Sequence, residues 1–321
     1  MHSIIREAFE QSLNKVPLSP NNALGLVNIL DHALLDIASS ARCMVSNNAL
    51  STFTCGIINA KSGKCKENCS FCAQSRHHQS SSPVYPLISQ DQMVKQAETY
   101  AAAGVNYMGI VTSGTSPSRY DFERLCQTAS FITERIDIKL CASLGLLSFE
   151  QAKILKQCGF SSYHHNLETS ESFYPEICTT HPYAQRVETV RYAKEAGLRV
   201  CSGGIFGLGE TWDQRIELSA TLQKLDVDSI PINFLTPITG TPLEKNRLLS
   251  PKEGLSIIAL FRLMHPAKDL VICGGRSKIL QQWENMIFSS GANGVMVGNY
   301  LTTTGHALDS DLEMLRMSGL Q

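Results

Sequence analysis

The stretch YMGIVTSGTSPSRYDFERLCQTASFITERIDIKLCASL, residues 107–144, holds a strand, a helix and a second strand in succession. "YMGIVTS" (107–113) and "IKLCASL" (138–144) are short runs rich in apolar and β-branched residues. Between them, residues near 121–135 repeat apolar side chains at spacings of three and four, which puts those side chains on one helical face. Two strands joined by a helix of this length are parallel neighbours, because a parallel pair needs a long crossover. The same unit recurs in both directions. Strand-like runs stand at 52–58, 162–168, 199–205, 229–235, 270–275 and 294–298. Helical patterns lie near 90–103, 148–158, 184–196, 211–224, 251–264, 278–290 and 309–318. Eight βα units over about 250 residues are the measure of a (βα)8 TIM barrel. A doubly wound open sheet is the rival, and it would normally show fewer strands. Upstream, "SIIREAFEQSL" and "ALGLVNILDHALLDIAS" are amphipathic helical patterns. Residues 1–50 therefore read as an N-terminal helical extension and 51–321 as the barrel. "SRHHQSSSP" (75–83) reads as a polar loop rather than a linker.

The chain has 321 residues, 43% of them hydrophobic, which is ample for a large core. A formal net charge of −1 gives no electrostatic footprint for nucleic acid or an anionic membrane surface. No run of about 18 apolar residues suggests a membrane span. The N-terminus lacks the basic and apolar regions of a secretory signal, so a cytoplasmic location is expected. Eleven cysteines in such a chain do not suggest a disulfide framework, because the cytosol keeps thiols reduced. Cys43, Cys126, Cys158 and Cys178 read as small buried hydrophobes.

Three other cysteines do not. In "KCKENCSFCAQS" (64–75), Cys65, Cys69 and Cys72 are spaced Cx₃Cx₂C. A structural zinc site would show a second ligand pair downstream, and a ferredoxin run would place a fourth cysteine nearby. Neither follows. Three thiolates on a four-iron cluster leave one iron open to a substrate or cofactor. The triad also follows the first strand, at the rim where barrel active sites lie.

With Phe71 before its last cysteine, this motif resembles that of the radical S-adenosylmethionine superfamily. There the amino and carboxylate groups of S-adenosylmethionine chelate the open iron, and one electron releases methionine and a 5′-deoxyadenosyl radical. "NAKSGKCKENCSFCAQS", "YHHNLETS", "VCSGGIFGLGET", "PINFL" and "GTPL" together resemble the biotin synthase family, in order and spacing, over roughly residues 50–320. The resemblance implies insertion of sulfur into dethiobiotin to give biotin. It also implies a 4Fe–4S cluster, a second auxiliary iron–sulfur cluster deep in the barrel, a homodimer, and an electron donor such as flavodoxin or ferredoxin. The alternative is another enzyme on the same scaffold, a mutase or a hydrogenase-cofactor maturase, without sulfur insertion. An electron carrier would need four local ligands and no nucleoside site.

The resemblance also assigns residues. Asn166 and Glu168 would bind the ribose of S-adenosylmethionine; relatives often carry Asp at the Glu168 position and Asn at that of His164, whose role stays open. Gly204, Ile205 and Gly207 would lie against the adenine, the glycines allowing close backbone approach. Asn233 would face the ureido ring of dethiobiotin, and Thr302 and Thr303 its carboxylate tail. Relatives hold the second cluster with three cysteines and an arginine. Here Cys141 and Cys201 remain, while Gly109 and Val271 occupy the other two positions. Cys55 and Cys273 are additional, and Cys273 shares the strand face of Val271. Strands one, three, five and seven contribute to one interior layer of such a barrel. Cys55, Cys141, Cys201 and Cys273 are therefore expected to hold the auxiliary cluster, a four-iron species in preference to 2Fe–2S.

Overall fold

The computed structural model describes residues 3–47, 50–301, 303 and 305–317. Its strands are β1 (Phe53–Lys61), β2 (Tyr107–Thr112), β3 (Lys139–Ser143), β4 (Phe160–His164), β5 (Arg199–Cys201), β6 (Gly204–Phe206), β7 (Ser229–Phe234), β8 (Asp269–Ile272) and β9 (Gly294–Met296). All pair in parallel, in the order β5-β4-β3-β2-β1-β9-β8-β7-β6, and a further β5–β7 pairing closes the ring. β5 and β6 are two halves of one barrel strand, so the expected eight-strand barrel is what forms. The break falls at Ser202–Gly203. A Cβ on Gly203 would lie 2.1 Å from the Pro231 carbonyl oxygen, so only glycine lets the chain pass there.

Helices α1 (Ser3–Leu13), α2 (Pro20–Val27) and α3 (Leu30–Asn47) precede the barrel. Around it run α4 (Gln90–Ala102), α5 (Arg119–Thr133), α6 (Phe149–Gln157), α7 (Tyr174–Ile177), α8 (Tyr183–Glu195), α9 (Trp212–Lys224), α10 (Pro251–Met264), α11 (Arg276–Leu280), α12 (Met286–Ser289) and α13 (Leu308–Met317). The start signals are local. Ser89, Ser148, Thr211 and Ser250 each cap a helix whose third residue, Gln92, Gln151, Gln214 or Glu253, bonds back to the cap.

Three expectations shift. The helical run at 23–39 breaks at Asn28 and Ile29 into α2 and α3, with α2 starting at Pro20 behind the Ser19 cap. The pattern at 278–290 splits into α11, a 3₁₀ turn and α12, because Gln281 adopts φ 50°. The fourth strand ends at His164, and the residues after it stay tied to the fifth strand by His165 N to Cys201 O at 3.0 Å, Leu167 N to Gly203 O at 3.0 Å and a bridge between Glu168 and Gly204.

Every residue of α10 from Gly254 to Met264 is buried, as an all-round apolar helix should be. One side faces the barrel. Ala259, Leu260, Leu263 and Met264 meet Ile5, Ala8, Leu18, Leu26 and Ile37 of the N-terminal helices and the segment joining them.

Candidate active site: one cavity with thiols at both ends

A cavity of about 440 Å³ runs through the barrel interior. Its mouth lies at the C-terminal ends of the strands, where the β1–α4 loop carries the triad. Backbone bonds hold that loop. Cys65 N donates to Gln74 O at 2.9 Å, Arg76 N to Cys65 O at 2.9 Å, and Ser70 N to Ile177 O at 2.8 Å. Cys65, Cys69, Cys72 and Phe71 all reach the cavity wall. Burial pushes the Cys72 thiol up to about 11, so these sulfurs are neutral until a metal displaces their protons.

Asn166 and Glu168 line the same mouth. Asn166 Oδ1 accepts from Gly203 N at 3.2 Å, tying the end of β4 to the break in the fifth strand. Glu168 sits at φ 72°, a left-handed conformation that costs a non-glycine residue and recurs at functional sites. Its Oε1 accepts from Arg186 at 3.3 Å. Its Oε2 is buried with no partner. Burial raises the Glu168 carboxyl and the Arg186 guanidinium opposes that rise. An orphaned carboxylate oxygen on a cavity wall suits a pair of ribose hydroxyls, since a carboxylate only accepts. His165 Nε2 is likewise buried and unpartnered on this wall. Burial lowers neighbouring His164 to about 4, so it faces the cavity as a neutral imidazole.

Farther in, Asn233 uses both ends of its amide on backbone. Nδ2 donates to Gly204 O at 3.2 Å, and Oδ1 accepts from Gly274 N at 3.1 Å. One N–H and one lone pair remain for a ligand. Thr303 lines the wall, whereas Thr302 lies outside the described residues. Of the glycine-rich stretch, Ile205 is on the wall, but Gly204 and Gly207 are used elsewhere. A Cβ on Gly204 would stand 2.6 Å from Glu168 O and 2.7 Å from Leu218 Cδ2. Gly207 takes φ 95° and donates its N–H to Glu210 Oε1 at 2.9 Å. Their missing side chains also serve strand packing and a turn.

Cys55, Cys141, Cys201 and Cys273 all project into the inner part of the cavity. Burial pushes Cys141 up to about 11. The neighbouring Cys55, then burial, raises Cys273. Burial first, then the neighbouring Cys141 and Cys55, raises Cys201. The four thiols therefore converge, but not in one layer. Cys55 lies opposite Tyr107, which lies opposite Lys139; Cys141 is two residues on. Cys141 leads through Ser162 to Arg199, with Cys201 two residues on. Cys201 leads through Ser229 to Asp269, with Val271 two residues on. Val271 leads through Gly294 to Phe53, and two residues on is Cys55 again. Four steps of two give a stagger of eight, as a closed eight-stranded barrel requires. The layer is thus Cys55, Cys141, Cys201 and Val271. Cys273 shares the face of Val271 and stands one interior step nearer the mouth. Below the layer, at the N-terminal ends of the strands, Phe53, Tyr107 and Arg199 close the cavity. The Phe53 and Tyr107 rings meet edge-on at 5.8 Å, and the Arg199 guanidinium lies 5.8 Å from the Tyr107 ring centre.

Glu67, Cys178, His181 and Arg186 are site residues that motif reading passes over. Cys178 is buried, as expected, but its sulfur is 3.7 Å from Cys69 Sγ. Among the described residues, Glu67, Cys178 and His181 bring three potential metal-ligand atoms within 4.8 Å of one another. The signal available in sequence was the string "CTTH" (178–181), a thiol and an imidazole three residues apart.

Comparison with known proteins accords with this geometry. The Radical SAM superfamily profile matches residues 60–222, and that of the Biotin and Thiamin Synthesis associated domain matches residues 231–321. The chain is 50% identical to a biotin synthase of Nitratidesulfovibrio vulgaris strain Miyazaki F, over 94% of this chain and 86% of the relative. It is 48% identical to that of strain DP4, over 100% of this chain and 91% of the relative. In fold it superposes on methylornithine synthase with a TM-score of 0.83 at 20% identity, over 98% of this chain and 96% of the other. The FeFe-hydrogenase maturase HydG of Carboxydothermus hydrogenoformans gives 0.81 at 17% identity, over 98% of this chain and 78% of the other. Those two likenesses show a shared scaffold. Identity near one half over nearly the whole length shows more: the chain belongs to the biotin synthase family of the radical S-adenosylmethionine superfamily.

Proposed function

We propose that this enzyme converts dethiobiotin to biotin, with Cys65, Cys69 and Cys72 holding a 4Fe–4S cluster and S-adenosylmethionine at the mouth of the cavity. One observation carries the reading: a single cavity joins the triad to a second set of four thiols, with Asn233 between them. A mutase or maturase has no need of that inner set.

The residues present fit the groups they would hold. Three thiols on one short loop leave a fourth coordination position facing the cavity. Glu168 Oε2 and Asn166 are placed to receive the ribose, Ile205 offers an apolar surface, and Arg186 sets a cation beside them. The free N–H and lone pair of Asn233 suit the ureido ring, and Thr303, with Thr302 beside it in sequence, the substrate's tail. When bound, the first cluster and S-adenosylmethionine supply one-electron chemistry and an abstractor of hydrogen from unactivated carbon. The protein's own part is to orient the substrate carbons between the two thiol sets and to exclude water, which the largely apolar wall does.

Cys55, Cys141, Cys201 and Cys273 would hold the sulfur-donating cluster. Three thiols in one layer with a fourth one step nearer the mouth are not coplanar. That arrangement suits the corners of a four-iron cube better than a flat two-iron unit. Homodimerisation, a cytoplasmic location and a flavodoxin- or ferredoxin-type electron donor belong to the same reading. Among the described residues no helix is long and apolar enough to cross a membrane.

The test is an anaerobic assay on reconstituted protein with dethiobiotin, S-adenosylmethionine and reductant, alongside Mössbauer spectra. Biotin formed together with 5′-deoxyadenosine is the expected result. 5′-Deoxyadenosine without biotin would move the enzyme to the mutase or maturase class.

A further inference from the structure

Beside the triad, the short segment after α7 brings Cys178 against Cys69. The sulfurs are 3.7 Å apart, and in the metal-free chain Cys69 Sγ donates to Cys178 Sγ. Cys178 Sγ also lies 3.6 Å from Thr180 Oγ1 and 3.4 Å from His181 Nδ1. His181 is fixed from both ring nitrogens: Nδ1 stands 2.8 Å from Glu67 Oε2 and Nε2 stands 2.7 Å from the Tyr174 hydroxyl. Arg186 Nε donates to that same hydroxyl at 2.8 Å, while Arg186 NH2 is 4.0 Å from Cys69 Sγ. Cys69, Cys178 and His181 are all buried, so no water competes for these contacts.

Two readings compete. Glu67, Cys178 and His181 can be imagined around a divalent metal. Against that, the Glu67 carboxylate is already engaged by Thr115, Thr180 and His181. A metal would have to break bonds that are in place. The hydrogen-bond reading needs no rearrangement. Given a cluster on the triad, Cys69 is a thiolate and carries no proton, so it can only accept. Cys178 lies outside the triad, so a hydrogen bond across the same 3.7 Å then has Cys178 as its donor.

We infer that Cys178 is a positioning residue that donates an S–H···S hydrogen bond to the cluster-bound Cys69 thiolate and thereby raises the reduction potential of the first cluster. This inference rests on the reading that the triad holds that cluster. The physical reason is charge. Reduction adds an electron to the cluster, and part of that density resides on its thiolate ligands. A donor aimed at one of them stabilises the reduced form more than the oxidised form. His181, held by Glu67 and Tyr174, together with Thr180 keeps the Cys178 sulfur in place.

The experiment is a redox titration of fully loaded enzyme, followed through the paramagnetic signal that changes on adding S-adenosylmethionine. Iron, zinc and sulfide are counted on every sample. Cys178→Ala should keep the parent iron content and lower the midpoint, by about 59 mV if the reduction equilibrium shifts about tenfold. Cys178→Ser, which keeps a donor of similar reach, should recover most of the shift. His181→Ala should give a smaller shift of the same sign. An Ala variant with full iron and the parent midpoint would overturn the inference. So would loss of triad iron in the Ala variant, which would make Cys178 a ligand. One zinc per parent chain, lost in both Ala variants, would replace the hydrogen bond with a metal site. A parent protein with no triad signal would remove the underlying reading itself, a failure separate from these.

Discussion

Arg186 reaches one oxygen of Glu168 at 3.3 Å and leaves the other buried without a partner. The pair is half of an interaction. The guanidinium neutralises and orients the carboxylate, and the open oxygen, carried on a left-handed backbone at φ 72°, points to a ligand donor. Glu168→Gln keeps the shape and removes the charge. It should weaken S-adenosylmethionine binding by about 1.5–3 kcal/mol, the range for a hydrogen bond to a charged group. Calorimetric titration should show that loss with dethiobiotin affinity nearly unchanged. Glu168→Ala should also lower thermal stability, since Arg186 would then be buried without its carboxylate.

Loss of one triad thiolate should be absolute in its effect. Cys69→Ala, assayed after iron reconstitution, should make no 5′-deoxyadenosine above background, because the electron then has no route to the sulfonium. Turnover at the parent rate would remove the triad from the mechanism.

Asn233 spans three strands, from Gly204 in β6 through its own β7 to Gly274 just past β8. Asn233→Ala should therefore act twice. Dethiobiotin affinity should fall by about 1–3 kcal/mol. A smaller loss should appear in S-adenosylmethionine affinity, because the end of the fifth strand is no longer tied. Equal losses for both ligands would argue that Asn233 only braces the sheet.

Cys55 and Cys273 are neighbours in the inner set of thiols. A Cys55→Ala/Cys273→Ala protein should lose the iron of the inner cluster and its biotin yield, yet still cleave S-adenosylmethionine. Mössbauer spectra would separate the two populations. Unchanged iron content and yield would return all four inner thiols to the role of packed core.

His265 ends α10, with its Nε2 2.8 Å from Ser219 Oγ on α9. Burial first, then Arg262 and Lys268, holds its pKa down at about 3. An unfolded chain takes up that proton near pH 6.5, and the native chain does not. The stability His265 contributes is complete above pH 6.5 and is lost as pH falls toward 3, at up to about 1.4 kcal/mol per pH unit. Urea unfolding of the cluster-free full chain at pH 7, 6 and 5 should show that slope, and His265→Gln should reduce it by about one proton.

The barrel was legible because its signals are local and repeated. Strand runs alternate with helical patterns, and Ser89, Ser148, Thr211 and Ser250 announce their helices from three residues away. The triad was legible because its three ligands share one loop. What escaped depends on register and on partners distant in the chain. Cys273 shares a strand face with Val271, and only the stagger around the closed ring reveals that it stands one step out of the layer. Cys178 reads as core because burial is a property of the residue, whereas its closeness to Cys69 depends on a contact across 109 positions. Gly204 and Gly207 fit a ligand pattern by composition, while the atoms their side chains would strike belong to Glu168, Leu218 and Leu249.

Among the described residues, Phe53, Tyr107 and Arg199 line the foot of the cavity and the triad lines its mouth. On the proposed reading, iron and sulfide that reach the inner thiols by way of the mouth pass through the space proposed for the nucleoside and substrate. Repair by that route and turnover would then be mutually exclusive in time: a molecule engaged with its cofactor could not be mended, and one being mended could not react.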